Sequence, residues 1–384
     1  YALLTSTRNT DKHFTNVREI VTRDADALAD VPIYNKSRYY NVYMNGLYYG
    51  VMMTEERGHP DLIANETGVD ADDIDLFKTR SAERPGGKTI NANVLLNDGN
   101  SDAFDKCYNE FFDADDNPKD FEEVKYNRLQ GKEPDGAGGY IKHTGDDPTY
   151  EHLIDPQSII KYSFNTFFFG DKDGPCGRFT GNKPYVSNYY TYYNRKNPNG
   201  WQFLRHDGEH SIGLPNNNST IQPYPWRDYG RNDSDPISKH DTLMYPLRYP
   251  MYKGKSKFSA IIMHEILREK CEVYRNEYKE FILKAYNTWC SPTNLKLALD
   301  RRYNEMKEAT YCDIAKWVHT DVLTEQILDD NVENIKEFFD ERWNNILLSF
   351  IEQNIAYSHD NIGYVPAIVE DNLIDYDEFN KTKT

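Results

Sequence analysis

Residues 38–58 read RYYNVYMNGLYYGVMMTEERG, and this stretch decides the architecture of the first part of the chain. Tyr, Val and Met, residue types that suit a pleated, half-buried surface, lie on both sides of Asn45-Gly46. That dipeptide tolerates positive φ at two successive positions and so specifies a tight hairpin turn. The stretch is a two-stranded meander rather than a helix, and it ends in two adjacent acids, Glu55 and Glu56. Neighbouring side chains of a strand point to opposite faces, so at most one of the two faces inward.

Upstream, VREIVTRDADALADV carries Val17, Ile20, Val21, Ala25, Ala27 and Leu28 at roughly helical spacing, which predicts a helix ahead of the hairpin. Downstream, ADDIDLFKTR is a short strand with Ile74, Leu76 and Lys78 on one side and Asp75 and Phe77 on the other. Residues 79–150 are rich in Gly, Asp, Asn and Lys, with one amphipathic helix expected at DAFDKCYNEFF. In DPQSIIKYSFNTFFFG, Asp155 reads as an N-cap with Pro156 in the first turn and Gly170 as the stop. Two β-like runs, NYYTYYNRK and WQFLRHD, then form a hairpin that delivers Asp207 to its end. Beyond the loop of residues 214–240, the runs over 258–290, 291–317 and 324–353 repeat apolar residues at three and four, which predicts helices. The expected fold class is α+β, with a β-rich part over 1–150 and a mainly helical part over 151–384. No internal repeat is evident.

Composition narrows the function. The 384 residues carry a formal net charge of -17, which disfavours nucleic acid and anionic membrane as partners, since either needs a basic stripe. A protein, sugar or nucleotide ligand is expected instead, and a nucleotide needs local cations or a metal against the global field. The five cysteines, Cys107, Cys176, Cys271, Cys290 and Cys312, show no C-x-x-C spacing and read mostly as small core residues. No apolar run approaches a membrane span. A chain that starts at Tyr1 reads as an excised domain or mature fragment.

The chemistry concentrates in GWQFLRHDGEHSIG, residues 200–213, where a strand ends in Asp207 and Glu209 with His206 and His210 on either side. Two acids separated by one residue point to one side of an extended segment and can share a hard, oxygen-loving cation. Gly208 leaves room for close backbone approach, and Asn188, opening the paired strand, offers a neutral oxygen to the same ion. A magnesium or manganese site follows. The plain alternative is an Asp-Gly turn with Glu209 on the surface. A zinc site through His206 and His210 ranks below magnesium, and His59 and His264 read as structural.

Taken in order, five pieces resemble the CotH family, spore-coat protein H and its bacterial and fungal relatives: NGLYYGVMMTEE, IDLFK, GDKDGP, NYY and HDGEH, spanning residues 40–213. The chain differs from the family in His206 where a Trp precedes the first acid, in Glu209 for an Asp, in a longer loop with Cys176, and in lacking a Gly-rich phosphate loop. The resemblance implies a bilobal atypical protein-kinase-like fold that binds ATP with Mg2+ or Mn2+ and phosphorylates Ser or Thr hydroxyls of a protein substrate, Ser-rich or surface-borne. It assigns Asp207 to metal binding and catalysis and Glu209 and Asn188 to the metal. Asp173 becomes the catalytic-loop base or metal organiser, Lys78 the partner of the nucleotide phosphates, and Glu56 the residue that holds Lys78. It also implies an extracellular or cell-surface location and a monomer. The rival class is a catalytically silent surface protein or adhesin that uses Tyr-rich faces to bind protein or carbohydrate.

Overall fold

The structure is a computed structural model that describes residues 2–5, 15, 17–83, 89–171, 174–175, 186–212, 254–317 and 324–352. It is a mixed α+β fold with small antiparallel sheets. Strand β1 (Ala2–Thr5) precedes helix α1 (Arg18–Leu28), and the hairpin follows as β2 (Ser37–Met44) and β3 (Leu47–Glu56). Asn45 and Gly46 form its tip with φ of 51° and 79°, the double left-handed turn that this dipeptide favours. The first sheet has the order β1-β3-β2.

After α2 (Pro60–Thr67) come β4 (Ile74–Glu83) and β5 (Thr89–Asp98), then α3 (Asp102–Phe111), α4 (Glu123–Arg128) and the small hairpin β6 (Lys132–Pro134) and β7 (Tyr140–Lys142). Helix α5 (Pro156–Phe168) starts as the sequence predicts, with the Asp155 carboxylate accepting from Gln157 N at 3.0 Å. It stops at Gly170, whose φ is 62°. Strands β8 (Tyr189–Asn194) and β9 (Gln202–Arg205) form the second hairpin, and α6 (Ala260–Lys270), α7 (Glu272–Asn287), α8 (Pro292–Trp317) and α9 (Glu325–Glu352) complete the described elements.

The second sheet runs β5-β4-β8-β9. Lys78 pairs with Tyr190 and Ile74 with Asn194 across β4 and β8. The expected division at residue 150 therefore needs correction: one hydrogen-bonded sheet draws two strands from either side of it. The part before 150 also holds four of the helices.

Strand β8 is buried along its whole length because both of its faces are covered. Tyr189 and Tyr193 face the main core with Phe77, Trp201, Phe203 and the aromatic residues of α5, whereas Tyr190 and Tyr192 join Ile33, Ile63, Ile74, Leu76 and Leu204 on the other side. The predicted alternation of β4 is the same division, with Phe77 in the main core and Ile74 and Leu76 in the smaller one. Cys107, Cys271 and Cys290 are buried and Cys312 is exposed, while Cys176 lies outside the described residues.

Helix α1 departs from its apolar reading in an informative way. Its apolar residues are buried as expected, Leu28 partly, but so are Arg18, Glu19, Arg23, Asp24 and Asp26. These charges are held by partners from the rest of the chain: Asp24 receives Arg301 and Arg302 of α8, and Asp26 receives Asn165 of α5 and Arg205 of β9. The helix is thus a charged spine between the first sheet, α5 and α8.

Candidate metal and anion site

Arg205 closes β9 inside the protein. Its Nε lies 3.2 Å from Asp26 Oδ2, its Nη1 3.5 Å from Asp171 Oδ2, and its guanidinium over the Tyr162 ring. The backbone then bends sharply. Asp207 adopts φ 54° and ψ 55°, and Gly208–His210 form a single 3-10 turn. A non-glycine residue in this left-handed region is strained, although Asp tolerates it better than most.

The turn docks on α1. A Cβ placed on Gly208 would stand 2.5 Å from Thr22 Oγ1, so only glycine permits this approach. The Thr22 hydroxyl donates to Glu19 O at 2.8 Å, tying the docking point to the turn of helix that carries Glu19. As a result Glu19, Asp207 and Glu209 present carboxylate oxygens that all lie within 4.8 Å of one another.

Asp207 and Glu209 therefore converge as the sequence predicts, but by a different geometry. The segment is a tight turn rather than an extended strand, and the third acid comes from α1. Glu209 is buried, so it is not the surface residue of a simple Asp-Gly turn. Burial, with Asp207 and Glu19 close by, pushes its carboxyl up to about 9. Burial also raises Glu19; the neighbouring Arg23 guanidinium opposes that rise, while Glu55 and Asp207 add to it.

A chain of ion pairs leads away from the acids. Arg23 binds Glu19 one turn earlier on α1 and reaches Glu55 Oε2 of β3 at 2.6 Å, while its Nη1 donates to Ser37 Oγ at 2.6 Å. His206 Nδ1 lies 3.5 Å from Glu55 Oε1, and His206 Nε2 lies 3.9 Å from Asp207 Oδ2. Burial alone would raise the Glu55 carboxyl, but His206 and Arg23 together bring it down to about 2. Burial would lower His206; Glu55 and Asp207 outweigh it and raise the imidazole, which favours a cation. His206 thus sits among the acids as a counter-charge to Glu55 and Asp207.

The inward member of the Glu55-Glu56 pair is Glu55, which corrects the expectation placed on Glu56. Ser37 faces Glu55 across β2 and β3, and Arg23 of α1 binds both side chains. Glu56 is half-buried and its carboxylate accepts from Lys36 N at 3.0 Å. Lys78 and Glu56 form no ion pair with each other among the described residues. Lys78 is half-buried on β4, and burial lowers its ammonium, with Arg57 and Arg80 adding to the shift and Asp98 opposing it.

Asn188 is buried with φ 45° and immediately precedes Tyr189, the partner of Arg205, so it stands across the strand end from His206. Asp173 lies outside the described residues, whereas its neighbour Asp171 is buried against Arg205 and adds to the negative field at Glu209. His59 caps α2 by accepting from Asp61 N, and His264 is buried with Nδ1 2.7 Å from Tyr274 Oη, so both serve structure.

Sequence reasoning missed Glu19, Arg23 and Glu55. Its available signal was the i,i+4 pair Glu19 and Arg23 in a helix whose charges fall on every side. The chain matches no family model and no curated protein.

Proposed function

We propose that the chain is a CotH-like, bilobal protein-kinase-like domain that binds ATP with Mg2+ or Mn2+ and transfers phosphate to Ser or Thr hydroxyls of a protein substrate, at the cell surface or outside the cell. One observation carries the proposal: three carboxylates from two distant elements converge within 4.8 Å. Crowding and burial hold a proton on Glu209 at neutral pH. A divalent cation relieves both, and an all-oxygen donor set suits Mg2+ or Mn2+ better than zinc.

In phosphoryl transfer the protein mainly supplies position and charge. Glu19, Asp207 and Glu209 would hold the ion, which neutralises charge on the phosphates when bound. Arg23 and His206 offset the remaining acids, and Lys78 supplies a cation on the same sheet. Asp171, fixed by Arg205, and Asp173 two residues on belong to the segment proposed to serve the substrate hydroxyl.

Calorimetric titration with ATP, with and without Mg2+ or Mn2+, tests the proposal on the wild-type chain and on Asp207→Asn. Metal-dependent binding that disappears in the variant is expected. Equal binding in both would remove Asp207 from the site.

The described residues also favour a second use of the same fold. Tyr40, Tyr43, Met44 and Leu47 are exposed around the β2-β3 tip, with Trp317 of α8 packed edge-on against Tyr49. Such an aromatic surface suits protein contact, either for a substrate or in a catalytically silent binding module. Among the described residues, no helix is long and apolar enough to cross a membrane.

A further inference from the structure

The end of the second sheet that leads into the acid cluster also carries cations. Lys78 and Tyr190 are direct partners across β4 and β8, and Tyr190 is in turn paired with Leu204, two residues before His206. The Tyr190 ring meets the His206 ring edge-on, with centroids 5.1 Å apart. Where β3 runs out, Gly58 lies flat on Tyr190: a Cβ there would be 2.9 Å from the ring. This close approach brings the chain at the preceding residue, Arg57, beside Tyr190, and the nearby guanidinium opposes the rise that burial gives the phenol.

Lys78 and the Arg57-Gly58 step thus adjoin Tyr190, and His206, with Asp207 beyond it, meets the same ring. Arg57 is exposed, Lys78 half-buried, and the Asp207 side chain retains 42% of its exposure, so solvent reaches both ends of the row. Neither Arg57 nor Lys78 forms an ion pair with a described carboxylate, although acids outnumber bases 62 to 45 in the chain. Two like charges held side by side repel each other, and an anion with several oxygens relieves that repulsion. Arginine suits this role because its planar fork donates to two phosphate oxygens at once.

We infer that Arg57, next to the Gly58 that packs on Tyr190, is a second phosphate ligand beside Lys78, and that the two select a polyphosphate chain whose other end faces the acid cluster. The inference rests on the phosphotransfer proposal only in taking that chain to be the β and γ phosphates of a nucleotide. A polyphosphate is preferred over a single phosphate because the row has one cationic end and one end suited to a metal.

Calorimetry with inorganic tripolyphosphate in the presence of Mg2+ tests it on the wild-type chain, Arg57→Ala, Arg57→Lys and Arg38→Ala. The last removes an exposed cation on β2 and controls for net charge. Loss of one charge-assisted bidentate contact is expected to weaken binding about tenfold in Arg57→Ala, with partial recovery in Arg57→Lys and no change in Arg38→Ala. Equal affinity in wild type and Arg57→Ala overturns the inference, even if ATP binds and Asp207→Asn abolishes that binding. Conversely, Arg57-dependent tripolyphosphate binding without ATP binding upholds the anion site and removes the nucleotide. Failure of the wild-type chain to bind either ligand overturns both proposals.

Discussion

Arg23 of α1 and Glu55 of β3 meet at 2.6 Å with both side chains almost wholly removed from water. The pair joins the helix that carries Glu19 to β3, whose Glu55 faces His206, so the candidate site and the packing of the first sheet depend on the same contact. Removing one partner of a buried pair strands the other charge. Arg23→Met is therefore expected to destabilise the fold by about 3–5 kcal/mol, measured by urea unfolding. A loss under about 1 kcal/mol would show that Glu19 and Glu55 find other counter-charges.

Acid should act through Glu55. Its carboxyl titrates near 2 in the folded chain against an ordinary value of 4.5, so the folded state favours the ionised form. The resulting stability is fully present above about 4.5 and disappears as the pH falls through 2. The melting temperature should drop across this window, and Glu55→Gln should flatten that drop while lowering stability at neutral pH.

Glu209 should act in the opposite sense. Its folded value of about 9 lies above the ordinary 4.5, so folding without metal favours the protonated form, and stability declines as pH rises from 4.5 toward 9. Mg2+ or Mn2+ binding displaces that proton. Metal affinity should therefore increase with pH through this range, and metal should raise the melting temperature most at its alkaline end. Glu209→Gln is expected to stabilise the metal-free protein and weaken metal binding by at least tenfold. A melting temperature indifferent to metal at pH 8 would argue against the cation.

The approach of Gly208 to Thr22 gives a purely steric test. Gly208→Ala places a methyl group 2.5 Å from Thr22 Oγ1, and about 1–3 kcal/mol of destabilisation is expected for such overpacking. Thr22→Ala in the same chain should recover much of it. Metal affinity should fall in the single variant and return in the double one, because the turn sets the distance of Asp207 and Glu209 from Glu19.

Arg342 of α9 offers a test remote from the acids. Its Nε donates to Phe168 O at 2.7 Å and its Nη2 to Phe167 O at 2.8 Å, capping α5 just before Asp171. Arg342→Met leaves buried carbonyls without these donors, so a loss of about 2–4 kcal/mol is expected in chemical unfolding. Full stability in this variant would mean that the end of α5 is held by its other contacts.

Much of this fold was legible because backbone chemistry is local. Asn45-Gly46, the Asp155 cap, Gly170 and the alternation Ile74, Leu76 against Phe77 each reflect a constraint set within a few residues. Asp207 and Glu209 were legible as a pair for the same reason. Glu19 was not, because nothing in a helix period states which charge will be buried against a turn from the far side of the chain. The choice between Glu55 and Glu56 likewise hinged on Arg23, which lies on a different element. Strand β8 carries Tyr at both alternating positions, which announces a strand but not that it sits second from the edge of a sheet assembled across residue 150.

That sheet order has a consequence during synthesis. Strand β4 can pair with β5 early, but its other edge receives β8, which leaves the ribosome more than a hundred residues later. At about 5–20 residues per second, this edge waits on the order of ten seconds without its partner. For that interval Ile74, Leu76 and Phe77 border an open edge able to recruit another strand. The nascent chain is therefore most exposed to misassembly before Tyr189–Asn194 emerges, and truncations that end ahead of β8 should aggregate rather than fold.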